Sequence, residues 1–281
     1  MKRDPQPKRI MQELTMDIVS IHTFLAELIG KHGVAIDYES ILETQYRSFL
    51  RADATIIDIG AHAGRHTKVF VELAPRGKVI AVEPLPDKAS ALRSAFGPSI
   101  SLFEGALAEN EGRMRFIWAQ GTPEESGLRE RQYNDPARAK PTEIEVEVTT
   151  LDRLTRALTR CDFIKIDVEG AELTALRGGG QLLSRLRPTI SVEFGRPAYS
   201  VYGHEAVELF TFAEGQGYRI YDIFQNPVPD LETWLKVCDI ATWDYFLLPK
   251  ERDGDFTQAT PVQTVQSQSA IQRLFQQMKQ R

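Results

Sequence analysis

Short apolar runs and amphipathic stretches alternate along this chain. The run Thr55-Ile-Ile-Asp-Ile59 is apolar except for Asp58, breaks at Gly60 and Gly64, and becomes helix-compatible through Val69, Phe70 and Leu73. That pattern predicts a buried strand, a tight turn and a helix. Residues 78–83 predict a second strand, 86–96 a helix stopped by Gly97 and Pro98, and 100–103 a third strand. Asn110-Glu-Gly112 reads as a hairpin turn between Ala106-Leu107 and residues 114–118. Residues 143–149 alternate strictly, as a strand with one wet face does, and 151–158 predict a short helix. Residues 163–168 and 188–194 predict two core strands, the first followed by a helix from Ala171 that ends at the glycines 178–180. A helix over 204–214, closed by Gly215 or Gly217, precedes two final strands at 218–224 and 243–248. Strands and helices in alternation imply a mostly parallel sheet with helices on both faces. The crevice of such a sheet lies at the strands' carboxyl ends, where Gly60, Glu83, Asp167 and Glu193 all fall.

Three stretches depart from this rhythm. Met11, Leu14, Ile18, Ile21, Leu25 and Leu28 recur in steps of three and four, which lays one apolar seam along a helix ending near Gly30 or Gly33. The seam packs on the body of the protein, covers the site, or joins two copies into a homo-oligomer. A second helix is expected over 39–50, with Asp37 as its cap. Residues 120–142, rich in Gly, Pro and charge, describe a long loop without core periodicity, either functional or a solvated insertion. Beyond Lys250 the chain turns polar and Gln-rich, although Ile271, Leu274, Phe275 and Met278 keep the spacing of a short helix that docks on the body or another subunit.

Composition narrows the setting. Hydrophobic residues at 42% and charged ones at 26% are ordinary for a globular protein of 281 residues. No apolar run approaches ~18 residues, so no membrane span is expected. The opening Met1-Lys-Arg-Asp-Pro-Gln-Pro has no apolar signal core, and two cysteines, Cys161 and Cys238, make no disulfide framework, so a cytoplasmic location is expected. A net charge of −5, with bases interspersed among acids as Arg129 and Arg131 are around Glu130, argues against a nucleic-acid partner.

The glycine turn carries the chemistry. Gly60 and Gly64 permit positive φ and let a ligand approach the main chain. Glu83, twenty-five positions after Asp58, ends the next strand, where an acid accepts hydrogen bonds from ribose hydroxyls. A phosphate-loop nucleotidase would need a Gly-Lys-Ser/Thr ending, which is absent. A dinucleotide site would want a glycine where His62 stands, whose side chain crowds a pyrophosphate but not a ligand without phosphates. S-adenosylmethionine is such a ligand. An NAD(P)-dependent oxidoreductase on the same scaffold is the competing reading, and a non-catalytic partner protein that keeps the fold is a third.

Asp58-Ile-Gly-Ala-His-Ala-Gly64, Val82-Glu-Pro84, Ala106-Leu107 followed by Glu111-Gly112, Thr150-Leu-Asp152 and Lys165-Ile-Asp-Val-Glu-Gly-Ala-Glu172 together resemble the FkbM family of S-adenosylmethionine-dependent methyltransferases. The resemblance covers roughly residues 50–225 and implies a Rossmann-like class I methyltransferase fold, an α/β architecture with a mostly parallel seven-stranded sheet. On that footing residues 1–50 are an N-terminal helical extension, 51–250 the methyltransferase domain and 251–281 a polar tail with a short helix. The resemblance implies cofactor contacts from Asp58, Gly60, Ala61, His62, Gly64, Thr67, Glu83, Pro84, Gly105, Ala106 and Asp167. Asp58 is then at the methionine end, or simply orients the glycine turn. Family members commonly carry Asn where this chain has His62.

Methyl transfer from a sulfonium is a direct displacement, so much of the rate comes from positioning. A hydroxyl acceptor also needs a base within hydrogen-bond reach. Asp167, Glu169 and Glu193 are the carboxylate candidates, and His62, His66 and His204 the imidazole ones. If the strand stays extended, Asp167 and Glu169 point the same way. Structural readings compete: Asp167 as a cap of the next helix, and Glu193 paired with Lys165 or Arg196. Three carboxylates also suit Mg²⁺, as in some other methyltransferases, but the resemblance requires no metal. The acceptor it implies is a hydroxyl of a sugar (free or in a glycan) or of a polyketide-like small molecule.

Overall fold

The computed structural model describes residues 17–253. Met11 and Leu14 of the apolar seam, and the helical spacing at Ile271, Leu274, Phe275 and Met278, lie outside the described residues. The chain opens with α1 (Ile18–His32) and α2 (Tyr38–Phe49), then runs β1 (Thr55–Ile59), α3 (Arg65–Leu73), β2 (Lys78–Val82), α4 (Pro86–Phe96) and β3 (Ser101–Phe103). A second set follows: β4 (Ala106–Leu107), β5 (Gly112–Ala119), α5 (Pro136–Ala139), β6 (Pro141–Thr149) and α6 (Leu151–Thr155). The chain then continues through β7 (Phe163–Ile166), α7 (Glu172–Arg177), α8 (Gly180–Leu186), β8 (Thr189–Glu193) and α9 (Arg196–Tyr199). The described residues end with α10 (Ala206–Gly215), β9 (Tyr218–Asp222), α11 (Leu231–Val237), β10 (Asp244–Pro249) and a 3₁₀ turn.

Seven strands form the expected sheet in the order β3-β2-β1-β7-β8-β10-β9. All neighbours are parallel except β10, which runs antiparallel to both β8 and β9. Ile56, Ile57 and Ile59 are fully buried because β1 is covered on both faces, and each contributes about 1.5–3 kcal/mol. The chain leaves β1 toward β2 and β3 and later returns on its other side as β7. This reversal opens a crevice above the carboxyl ends of β1 and β7.

Three strands make a separate sheet in the order β4-β6-β5, which corrects one expectation. No hairpin joins residues 106–107 to 114–118. Instead β6 lies between them, parallel to β4 through Ala106↔Val148 and antiparallel to β5 from Gly112↔Val148 to Ala119↔Pro141. The strict alternation of β6 explains its central place: Val146 and Val148 are buried with Phe116, and its wet face carries Glu143 and Glu145, which pair with Arg115 and Arg113. Residues 120–142 are also more ordered than expected. A 3₁₀ turn at Pro123–Glu125, a bridge between Ile117 and Gly127, and α5 bury Thr122, Glu125, Ser126 and Ala139. Besides α5, three further helices, α8, α9 and α11, were not anticipated.

Asp17 caps α1 by accepting the Ser20 N–H, and Gly33 ends it at φ 62. Ile18, Ile21, Phe24, Leu25 and Leu28 are buried against the chain's own body, where α1 lies on α11. Fully buried His22 meets Asp222 at 3.2 Å there. The described part of the seam is thus covered by the chain's own body. Asp37 caps α2 as expected, accepting from Ser40 N–H. Tyr46 then anchors that helix among Phe70, Phe163 and Phe246, which places the first turn of α2 beside the crevice. No helix among the described residues is long and apolar enough to cross a membrane.

Candidate active site

Gly60 leaves β1 at φ 83, and a Cβ there would lie 1.8 Å from the Asp167 carbonyl oxygen. Only glycine allows the two strand ends to cross this closely. The N–H groups of Gly60 and Ala61 both donate to the Val82 carbonyl at 3.0 Å, which ties the turn to β2. His62 follows at φ 47, and Gly64 opens α3. Glu83 completes the tie: Oε2 accepts the His62 N–H at 2.7 Å and Oε1 the Leu85 N–H at 2.8 Å. Burial pushes this carboxyl up to about 7, against the pull of those two bonds. Each oxygen retains a second lone pair for another donor. Gly105 brings the next loop alongside, its N–H on the Glu83 carbonyl at 3.1 Å.

These loops surround a cleft of about 250 Å³. One end is formed by Ala61, His62, Glu83, Pro84, Gly105 and Ala106, roofed by Phe116 and by Pro123, Ser126 and Leu128 of the 120–142 segment. The other end holds Lys165, Asp167 and Glu169 together with Glu39, Arg65 and His66.

At that second end the charges are strongly coupled. Lys165 projects from β7, almost fully buried, and donates to Asp167 Oδ2 at 2.8 Å. Burial pushes Asp167 upward, but the Lys165 charge together with hydrogen bonds from Glu193 and Lys165 outweighs it and holds the carboxyl well below its usual range. Burial likewise opposes the charge on Lys165, and Asp167 with Asp58 overcomes it. The negative charge of Asp167 is the chief reason that Glu193 is raised well above the ordinary value, and burial adds to it, so Glu193 stands as a neutral donor to Asp167. Asp244, opposite Glu193 in the β8–β10 register, is pushed to about 7 by burial and then by Asp167.

Asp167 and Glu169 do not share a direction through an extended strand. β7 ends at Ile166, and positive φ at Glu169 (55) and Gly170 (105) turns the chain. Asp167 goes to Lys165, while Glu169 accepts from Arg131, which reaches it from the 120–142 segment. Burial, followed by the charge of Asp167, lifts Glu169 to about 8. The turn is closed by Glu172, whose Oε1 accepts the Val168 and Gly170 N–H groups at 3.1 and 2.9 Å. The helix α7 has no side-chain cap, so Asp167 does not cap it, and Glu172 closes the turn that precedes it. Glu193 takes neither predicted partner, because Lys165 is bound to Asp167 and Arg196 lies 3.7 Å from Asp239.

Asp58, Gly64, Thr67 and Glu193 stand behind the cleft and do not line it. Fully buried Asp58 accepts from Thr67 Oγ1 at 2.6 Å, which makes it an organiser of the turn, and its Oδ1 has no partner. Among the imidazoles, burial lowers His62 in pKa, His66 meets Glu39 at 2.6 Å, and His204 is bound to Glu208 outside the cleft. No group of three metal-ligating side chains occurs among the described residues. Glu39, Arg65, Arg131 and Asp244 were not anticipated here, and Lys165, expected beside Glu193, is on Asp167 instead. A lysine inside the apolar run 163–166 was the one visible signal; the others come together only through folding.

A family model described as the methyltransferase FkbM domain matches residues 58–220, more than half of the chain. The chain is similar to the 2-O-methyltransferase NoeI of Sinorhizobium fredii, 29% identical over 49% of this chain and 62% of that protein, less than two thirds of its length. It is also similar to the methyltransferase sdnD of Sordaria araneosa, 24% identical over 53% of this chain and 69% of the relative. Among solved structures, methyltransferase FkbM from Methylobacillus flagellatus superposes with a TM-score of 0.45 at 16% identity, covering 80% of this chain and 57% of that one. The SAH-bound Podospora anserina methyltransferase PaMTH1 gives 0.42 at 14%, covering 82% and 86%. The chain belongs to the FkbM family of S-adenosylmethionine-dependent methyltransferases.

Proposed function

We propose that this enzyme is an O-methyltransferase acting on a hydroxyl of a sugar or polyketide-like small molecule. One observation carries the reading: an ionised Asp167, fixed by Lys165, faces the same cleft as the glycine turn and Glu83. The residues suit the methyl donor. Gly60 and Gly105 keep side chains out of its path, and Glu83 has lone pairs left for a ribose diol. His62 Nε2, buried and unpartnered, is left for the methionine end, with Asp58 Oδ1 behind it. Ala106, Leu107 and Pro84 line the cleft, where the first two would border the adenine and Pro84 the ribose. When bound, S-adenosylmethionine supplies an electrophilic methyl group.

The chain's own groups do the rest. Asp167, held low by Lys165, is too weak a base for the proton transfer and instead orients the acceptor hydroxyl. Glu169, near 8, is matched to neutral pH and would take the acceptor hydroxyl's proton during transfer of the methyl group that the bound cofactor would supply. Glu193 stays protonated behind Asp167 and keeps it anionic. The similarity to a 2-O-methyltransferase supports oxygen as the acceptor atom. His62 at the middle-glycine position speaks against the oxidoreductase reading. Free, buried Cys161 and Cys238 are in keeping with a cytoplasmic setting.

The test is calorimetric titration with S-adenosylhomocysteine, with NADH as control, followed by transfer of labelled methyl to a panel of glycosides. Saturable binding of the first ligand alone, with label on oxygen, is the expected result. Binding of NADH or of neither ligand sinks the reading, and cofactor binding without turnover on any hydroxyl favours the non-catalytic partner.

A further inference from the structure

The acceptor end of the cleft is not built by the methyltransferase repertoire alone. Glu39, in the first turn of α2, lines it, although α2 lies outside the segment that the family model matches. His66 Nε2 meets Glu39 Oε2 at 2.6 Å. The imidazole is almost fully buried, its ring 5.6 Å edge-on from Tyr46 and stacked with Phe70 at 6.3 Å, so it is a rigid post and not a mobile side chain. Glu39 itself keeps 44% of its side-chain surface exposed, with Oε2 buried against His66. Arg65 leans over the same turn, its Nε 2.9 Å from Glu43 and 3.8 Å from Glu39.

We infer that Glu39, oriented by His66, is an acceptor-binding residue, and that this wall takes an uncharged polyhydroxylated acceptor. The inference rests on the methyl-transfer reading above and narrows it. A carboxylate offers up to four acceptor sites in a plane, which suits adjacent hydroxyls that must donate. An anionic acceptor finds no free cation among the described residues that line this end. Lys165 is bound to Asp167, and Arg65 is held by Glu43 of α2 and lies near its cap, Asp37. A site built to accept from hydroxyls also discriminates strongly against analogues that lack them. His66 acts through Glu39 and is a positioning residue.

The probes are methyl hexopyranosides and the corresponding hexose 6-phosphates, titrated by calorimetry and saturation-transfer NMR into protein saturated with S-adenosylhomocysteine. Wild-type protein is expected to bind at least one pyranoside and to prefer it to its phosphate. Glu39→Ala should weaken that binding tenfold or more, Glu39→Gln less, and His66→Asn should weaken it while sparing Glu39. Affinity for S-adenosylhomocysteine should stay within about twofold in all three. Partial exposure of Glu39 makes its replacements safe for folding, and thermal melting checks this. Equal glycoside binding by Glu39→Ala overturns the role of Glu39. Preference for the phosphate, or binding of no pyranoside, overturns the acceptor class. Failure of wild-type protein to bind S-adenosylhomocysteine overturns the methyl-transfer reading itself and is seen in the first titration.

Discussion

Replacing Asp167 by Asn removes the carboxylate that directly offsets a buried ammonium. Lys165 is 4% exposed and donates to Asp167 at 2.8 Å, so the substitution strands a positive charge inside the sheet. Breaking a fully buried pair in this way costs about 3–5 kcal/mol. Two features reduce the loss: the Asp167 side chain keeps 28% of its surface open to the cleft, and Asp58 also acts on Lys165. Glu193, freed from the charge that keeps it protonated, then ionises and supplies part of the compensation. The expected loss is therefore about 2–3 kcal/mol, which lowers the melting temperature by roughly 5–10 °C in a domain of this size. Adding Lys165→Met should restore most of that stability and none of the turnover. The sign with pH is also set. Asp167 is depressed in the folded state, so its contribution is complete above its ordinary value of 3.8 and is lost as pH falls through the lower folded value. Wild type and variant should differ across the neutral range and converge only in strong acid. Chemical denaturation as a function of pH measures this, and an Asp167→Asn protein as stable as wild type near neutrality would refute the reasoning.

Gly60→Ala puts a Cβ 1.8 Å from a main-chain oxygen that cannot swing away, so S-adenosylhomocysteine binding should be lost and melting lowered; near-normal affinity would show that the crossing tolerates movement. Glu172 is raised to about 7 by burial, so its ionisation withdraws stability as pH rises from 4.5 through that value. Glu172→Gln keeps an oxygen for the Val168 and Gly170 N–H groups and never ionises. It should match wild type near pH 5 and melt higher near pH 8, as differential scanning calorimetry will read. Glu83→Gln turns an amide donor toward the N–H of His62 or Leu85, which costs about 1–3 kcal/mol in unfolding experiments. The same variant should bind S-adenosylhomocysteine at least about tenfold more weakly, and unchanged affinity would remove Glu83 from the ribose.

What could be read before folding was whatever periodicity and glycine record locally. The runs at β1, β2, β7 and β8, the glycine turn and Glu83 all announce themselves within a few residues, as does the parallel sheet they imply. The placement of β6 between β4 and β5 was not legible, because a turn signal at Asn110-Glu-Gly112 does not reveal that a strand thirty residues later carries the better apolar face. The shared direction of Asp167 and Glu169 failed for a related reason: the chain turns at Glu169 with φ 55, and nothing in a glutamate's identity foretells that. Charge partners were the least readable. Glu39 meets His66 across twenty-seven positions, and Arg131 meets Glu169 across thirty-eight, pairings that only the completed fold brings within reach.

The antiparallel insertion of β10 orders events at the ribosome. β9 is made before β10 yet bonds to nothing in the sheet except β10, and β8 keeps an open edge until residues 244–249 emerge. At synthesis rates of about 5–20 residues per second, β9 and β8 wait on the order of seconds for the strand that joins them. A nascent chain paused before Asp244 presents an unpaired parallel edge ending at Glu193, and Asp244 is made last among the charged groups around Asp167.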